Sequence, residues 1–176
     1  MKTTEEIFVI LKNEFNDSIL EHIKDVPVEE VIVVDPLKIH VVSEFLRDNE
    51  ELLFDSLMNL SGVDDANGEK VKQEDESELI IGGTLSVVYH LHSITHKHKL
   101  TLRASAEREK PEVESVESIW KTANWHEREA FDMYGIIFLN HPDLRRILMP
   151  YDWGAGYPLR KDYKNPEFYQ GMKVPY

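Results

Sequence analysis

The chain has 176 residues, of which 41% are hydrophobic and 30% charged, as is typical of one soluble globular domain. Its net charge of −13 makes it a poor candidate for nucleic-acid binding, which begins with the neutralisation of phosphates. The sequence contains no cysteine, which excludes disulfides, cysteine nucleophiles and cysteine-ligated iron–sulfur clusters. We find neither a signal-peptide pattern nor an apolar run of about eighteen residues, and expect a cytosolic protein or one attached to a membrane through partners.

The N-terminal segment is predicted to form two helices. Thr3 and Glu6 have the spacing of a capping box and precede apolar residues at helical intervals, which predicts a helix over residues 4–15. A shorter helix is expected near residues 17–24.

A strand, a helix and a second strand follow. The β-branched stretch at 29–34 is typical of a strand. We expect Asp35 to cap the next helix, with Pro36 in its first turn, and the helix to end near Asp48. Another strand is expected near 54–61. The apolar side of the predicted helix comprises Leu37, Val41, Val42, Phe45 and Leu46.

The middle of the chain is predicted to contain an antiparallel hairpin. Residues 62–78 are polar and acidic with two glycines, and we interpret them as a surface loop or hairpin tip. Apolar and polar residues then alternate over 85–92 and again over 100–104, which predicts two half-buried strands. A turn near 94–97 would join them.

Two further helices are predicted before the C-terminal segment. A short one is expected near 115–121. A second, over 125–134, is indicated by Asn124 three residues before Glu127 and by Gly135 at the expected C-terminal position. The fold expected for residues 1–138 is therefore an α+β domain with a mixed or antiparallel sheet of about four strands flanked by helices.

Residues 139–176 have a different character. They contain five of the eight prolines and seven of the seventeen aromatic residues, without helical or alternating periodicity. We predict a long extended tail. Because disordered tails are usually poor in aromatic residues, this segment needs a surface to lie on. That surface is either its own domain or a neighbouring protein, for which aromatic and arginine side chains are common interface residues.

Four histidines close in sequence raise the question of a metal site. His90, His92, His96 and His98 lie on the two predicted hairpin strands and their turn, but residues 80–106 contain no acidic residue to complete a ligand set. We interpret them as solvated histidines.

The helix at 125–134 offers three interpretations. His126 and Glu127 begin a zinc-protease motif that would need a second histidine at position 130, where Ala130 stands. A charged helix face with an ion pair between Arg128 and Asp132 is the structural alternative. A stand-alone metal-dependent enzyme would gather Glu127, Glu129, Asp132 and His141 around its metal.

The arginine pair Arg145 and Arg146 suits carboxylates across a protein interface, or else a phosphate. These residues and the helix before them carry a family resemblance. Glu127-Arg128-Glu129, Asp132, Met133-Tyr134, His141, Arg145 and Ile147-Leu148, continued by "HPDLRRILMPYDW" and "PLRKDY", resemble the 30 kDa subunit family of proton-translocating NADH–quinone oxidoreductase, respiratory complex I. "NLSGVDD", "VVYHLHS" and "SIWKTANW" extend the match.

The resemblance implies a non-catalytic structural subunit of the peripheral arm, on the cytoplasmic face of the cell membrane if the source is bacterial. It implies no cofactor in this chain, with FMN, iron–sulfur clusters and quinone bound by partner subunits. The implied partners are the quinone-site subunit that resembles a hydrogenase large chain and the adjacent cluster-bearing subunits. Similar subunits of membrane-bound hydrogenases and other quinone-reducing dehydrogenases remain an alternative, as does a regulatory binding module.

The resemblance also implies the residues that carry the family signature or contact the partner. They are Glu127, Arg128, Glu129, Asp132, Tyr134, Gly135, His141, Pro142, Asp143, Arg145, Arg146, Trp153, Arg160, Lys161, Asp162 and Tyr163.

Overall fold

The structure is a computed structural model that describes residues 1–25, 27–72 and 78–174. Three α-helices and eleven strands are present in these ranges. In chain order they are α1 (Thr4–Phe15), β1 (Ile19–Ile23), β2 (Val31–Val34), α2 (Ile39–Asp48), β3 (Ser56–Asp64), β4 (Glu69–Lys72), β5 (Glu78–Ile81), β6 (Thr84–His92), β7 (Lys99–Glu107), β8 (Glu112–Glu114), α3 (Ala123–Tyr134), β9 (Ile137–Leu139), β10 (Phe168–Tyr169) and β11 (Met172–Lys173).

A mixed five-stranded sheet in the order β1-β2-β7-β6-β3 organises the domain. Only the pairing of β2 with β7 is parallel within this sheet. The predicted α+β class with a mixed sheet is confirmed, with five strands instead of about four. The additional strand is β1, where we expected a helix near 17–24. Its register against β2, from Ile19 opposite Val34 to Ile23 opposite Val31, supplies hydrogen bonds that local propensity could not reveal.

The hydrophobic core joins the sheet to the first two helices. Ile7 of α1 and Leu46 of α2 belong to the same buried cluster as Leu85 and Tyr89 of β6. Leu85, Val87, Tyr89 and Leu91 are all fully buried, which confirms the alternation predicted for β6. The β6–β7 hairpin, with its turn after Ser93, is also confirmed.

The N-terminal helix has the predicted capping box. The hydroxyl of Thr3 accepts the N–H of Glu6, and the Glu6 carboxylate accepts the N–H of Thr3. The start of α2 was predicted too early. The Asp35 carboxylate accepts the N–H of Leu37 at 2.8 Å inside a turn, and the helix begins only at Ile39.

The apolar side predicted for α2 was correct only in part. Val42 and Leu46 are buried, but Leu37 and Val41 expose 51% and 44% of their surface. The delayed helix start explains the difference at Leu37, which lies in the preceding turn.

The helix predicted near 115–121 does not form. Turns replace it, with the N–H groups of Ile119 and Trp120 both bonded to the carbonyl of Val116. The Trp120 indole donates to the Phe54 carbonyl at 2.9 Å, so this segment is fixed by a contact distant in sequence. The following helix, α3, begins at Ala123 and ends at Tyr134, with Gly135 as its C-terminal cap, as predicted to within two residues.

The polar stretch 62–78 is partly a hairpin arm. Residues 62–64 end β3, and β4 pairs with β5 outside the main sheet. Residues 65–68 connect β3 to β4, and residues 73–77 of the predicted loop lie outside the described residues.

The extended tail is not confirmed as such. β9 pairs in parallel with β8, and residues 146–163 bond repeatedly to the domain, as detailed below. β10 and β11 form a short antiparallel pair. The division of the chain at residue 138 stays a prediction.

Candidate partner-binding site

Helix α3 turns two of its three carboxylates, Glu127 and Asp132, into the protein. Glu127 is fully buried, where its two carboxylate oxygens accept the Ser115 hydroxyl at 2.6 Å and the Val116 N–H at 2.7 Å. Burial raises the pKa of Glu127 to about 7, against the two hydrogen bonds, which favour the charged form. Glu127 therefore joins α3 to the turn segment before it. With this pKa, its charged and neutral forms coexist near pH 7.

His141 lies beside this carboxylate. Its Nε2 atom is 3.9 Å from Glu127 and 3.3 Å from the carbonyl of Asn124, while Nδ1 accepts the N–H of Asp143 at 3.0 Å. Burial lowers the pKa of His141. Since Nδ1 accepts a hydrogen bond, the neutral ring carries its proton on Nε2, directed at the Asn124 carbonyl.

Asp132 is the most completely bonded carboxylate of α3. It accepts the backbone N–H groups of Ile147, Leu148 and Met149 at 3.0, 2.7 and 2.9 Å and the Arg146 guanidinium at 2.8 Å. Although burial works to raise the pKa of Asp132, these donors outweigh it and hold the pKa below its ordinary value. Asp132 thus fixes the segment after β9 onto α3.

The ion pair predicted between Arg128 and Asp132 was wrong. Arg128 stacks over the Trp125 ring at 4.8 Å and donates to the carbonyl of Arg145 at 3.3 Å, whereas Asp132 binds Arg146. Helical spacing allowed the predicted pair, but the chain that returns from β9 offered both side chains different partners.

A second buried ion-pair cluster lies at the end of β3. Arg108 donates to Asp64 at 2.8 Å and to Asp162 at 2.6 Å, and Asp64 also accepts the N–H of Lys161 at 2.8 Å. Sequence reasoning missed Asp64 and Arg108, although it singled out Asp162. No local pattern could have revealed them, because the partners of Arg108 are 44 and 54 residues away.

The C-terminus of α3 contacts residues 157–160. Gly135 has a left-handed conformation (φ 75°), as its predicted role requires, and a Cβ there would come within 2.4 Å of the Tyr157 ring. The N–H of Leu159 donates to the Met133 carbonyl, and Nε of Arg160 donates to the Tyr134 carbonyl at 2.7 Å. A cation at a helix C-terminus also interacts favourably with the helix dipole.

The other predicted interface residues lie nearer the surface. Arg145 is exposed and pairs with Asp143 at 3.0 Å, an arrangement that contributes little to stability. The Trp153 ring lies 5.2 Å from that of Tyr169. Glu129, Pro142 and Lys161 are exposed, and Tyr163 is half-buried. Contact between these residues and a partner stays a prediction.

The candidate metal ligands do not converge. Among the residues that the structure describes, no group of three or more histidine and carboxylate side chains is arranged to hold a metal ion. His98 is buried and bonds to the carbonyl of Leu52 at 2.7 Å, so the prediction that it is solvated was wrong. Burial lowers the pKa of His98. His90 lies 3.0 Å from Glu29, an acidic residue outside the segment considered in the sequence.

Comparison with known proteins identifies the class. Residues 32–169 match the family model described as respiratory-chain NADH dehydrogenase, 30 Kd subunit. The chain belongs to this family, and the resemblance seen in the sequence is confirmed.

Named relatives agree with this assignment. The chain is 45% identical over 175 residues to a protein of Chloroherpeton thalassium that is named as a subunit of NADH-quinone oxidoreductase, covering 98% of this chain and 65% of that protein. It is 39% identical over 170 residues to the protein of the same name from Chlorobium phaeobacteroides, covering 95% of this chain and 92% of that protein. The chain therefore spans just under two thirds of the first relative and nearly all of the second.

A solved structure shares the fold. It is described as Nqo5 of a trypsin-resistant fragment (1-134), has a TM-score of 0.56 at 21% identity, and covers 78% of this chain and 98% of its own. In the described ranges, no helix is long and apolar enough to cross a membrane. Within the same ranges the longest helices, α1 and α3, have 12 residues each.

Proposed function

We propose that this chain is a non-catalytic structural subunit in the peripheral arm of a proton-translocating NADH–quinone oxidoreductase. In this proposal the assembled complex passes electrons from NADH through FMN and iron–sulfur clusters to quinone. Those cofactors lie in partner subunits. The family assignment and the relatives named as NADH-quinone oxidoreductase subunits support the membership.

The observation that carries the structural role is how the signature carboxylates are used. Glu127, Asp132 and Asp162 are all bound by donors of this same chain. A buried carboxylate with several charge-assisted hydrogen bonds holds its segments in a fixed geometry. Such rigidity suits a scaffold. Catalytic residues, in contrast, need polar groups that are free to contact a substrate.

The partner is proposed to be the quinone-site subunit that resembles a hydrogenase large chain, together with adjacent cluster-bearing subunits. A relative from Bacteroides fragilis (strain YCH46), whose name joins two subunits of NADH-quinone oxidoreductase, supports this pairing. It is 41% identical over 140 residues, and these residues make up only 25% of its length. The family region there belongs to a longer chain that is named for two subunits, which supports close proximity of the two. We propose a peripheral location on the cytoplasmic face of the membrane.

A stand-alone metal-dependent enzyme is the competing function. Glu127 and Asp132 would be its ligands, yet both are enclosed by donors of the chain, and His141 directs its proton at a carbonyl. The equivalent subunit of a membrane-bound hydrogenase is a variant of the main proposal that differs in the electron donor.

Assays of the isolated chain distinguish the structural subunit from the stand-alone enzyme. We expect the isolated chain to oxidise no NADH and to hold no metal, flavin or cluster in stoichiometric amount, as measured by turnover assays, elemental analysis and visible absorbance. Stoichiometric metal that is lost in Glu127→Gln, or NADH turnover by the chain alone, would favour the enzyme. Glu14→Gln, at an exposed position of α1 and outside the candidate ligand set, is the control.

A further inference from the structure

A cleft of about 390 Å³ lies between the β4–β5 arm, β9 and residues 157–162. Its apolar walls include Leu79, Pro111 and Ile137. Leu79 and Ile137 expose 40% and 41% of their surface, so both apolar side chains are open to solvent in this chain alone. The polar and charged side chains that line it are those of Arg108, Glu109, Tyr157, Arg160 and Asp162.

Only one nitrogen of the Arg160 guanidinium forms a hydrogen bond within the described residues. Nε donates to the carbonyl of Tyr134, and the guanidinium carbon lies 4.5 Å from the centre of the Tyr157 ring. Within the described ranges, its two terminal nitrogens donate to no hydrogen-bond acceptor, and no carboxylate oxygen lies within 4.0 Å of the guanidinium. The planar fork that suits a carboxylate is therefore unused.

The nearest carboxylates are already committed. Asp64 and Asp162 bind Arg108 at 2.8 and 2.6 Å, and Asp162 also accepts the N–H of Ile80 at 3.3 Å. Burial and the charge of Arg108 lower the pKa of Arg160, despite attraction from these two carboxylates. The half-buried charge thus lacks a direct counter-ion in this part of the chain, a costly arrangement for a cation removed from water.

We propose that the cleft receives an acidic side chain of the partner protein, whose carboxylate is bound by the two terminal nitrogens of Arg160. Apolar residues beside that acid pack on Leu79 and Ile137. The inference rests on the proposed function, because it needs a partner. A singly charged carboxylate fits better than phosphate. Arg108 and Arg160 balance Asp162 and Glu109 in the lining, so a dianion would leave more uncompensated negative charge in the cleft.

The first test measures assembly of the full complex. Arg160→Gln should weaken retention of the chain in the purified complex by about tenfold or more, since truncating one side of a buried charge pair has effects of this size. Lys110→Gln is the control, because Lys110 is an exposed cation paired with Glu112. Its retention should equal that of the unaltered chain, and the isolated variants should show similar helix and strand content by circular dichroism.

A second test locates the carboxylate directly. Arg160→Lys places an amine in the cleft, and a carbodiimide then couples amines to adjacent carboxylates without a spacer. Mass spectrometry of the complex should find position 160 joined to an Asp or Glu of the partner. The same treatment of the unaltered complex is the control, because it shows which cross-links come from the neighbouring amine of Lys161.

The outcomes separate the inference from the proposed function. Retention of Arg160→Gln equal to the unaltered chain, or cross-links confined to carboxylates of this chain, would overturn the inference while leaving the subunit role intact. Failure of the unaltered chain to enter any complex would overturn the proposed function, and the inference with it.

Discussion

At Glu127 two physical requirements oppose each other. Burial favours the neutral acid, whereas the Ser115 hydroxyl and the Val116 N–H favour the carboxylate. Burial dominates and brings the pKa to about 7, so the charge of this residue changes near neutral pH. Asp132 has the opposite balance, because four donors outweigh its burial and keep it charged.

The raised pKa of Glu127 predicts a specific pH dependence of folding. The folded protein binds the proton more tightly than the unfolded chain, whose pKa is near 4.5, so the proton stabilises the fold below pH 4.5. That stabilisation is lost as pH rises to about 7, and the shift corresponds to about 3 kcal/mol.

Glu127→Gln removes the titration while it keeps a similar shape. Urea unfolding between pH 4.5 and 8 should show that the unaltered chain loses stability relative to this variant up to about pH 7, with a constant difference above. Asp132 and Asp64, whose pKa values are lowered, act in the opposite direction and affect both proteins alike. Parallel stability curves for the two proteins would contradict the assignment.

Helix α3 shows how one element positions the following chain. Its C-terminus is covered by Tyr157, Leu159 and Arg160, and Gly135 permits both the left-handed turn and the close approach of the Tyr157 ring. The two roles of Gly135 can be separated by mutation.

Gly135→Ala should destabilise the protein by about 2 kcal/mol or more, because about 1–2 kcal/mol comes from the left-handed backbone alone and the ring must also move. In the Tyr157→Ala background the cost should fall by about 1 kcal/mol, since only the backbone strain remains. Denaturant unfolding of the four proteins of this cycle measures both values. An equal cost in both backgrounds would show that the Tyr157 contact is not formed.

Prediction from sequence succeeded where the interactions were local. The capping box at Thr3 and Glu6, the alternation in β6 and the glycine that ends α3 are all set by neighbours within a few residues. It failed at β1, whose strand state depends on pairing with β2, and at the turns near 115–121, which depend on Phe54. The partners of Arg128 and Arg108 lay equally beyond local spacing.

At the scale of the whole molecule, two groups of buried carboxylates hold residues 146–163 against the domain. Asp132 binds the segment at 146–149, and Asp64 with Arg108 binds the segment at 161–162. Deleting everything after residue 140 would remove all four donors to Asp132 and the Asp162 partner of Arg108, so such a deletion disturbs the fold as well as assembly. A test of function must therefore keep the chain whole.

The most direct test of the central claim removes the chain from the complex and restores it. Membranes from cells that lack this chain should lose NADH-driven quinone reduction, and expression of the unaltered chain should restore it. Purification through a tag on the restored chain should recover the cluster- and quinone-binding subunits in equal stoichiometry. A full rate of quinone reduction in membranes without the chain would contradict the proposal that it is a required structural subunit.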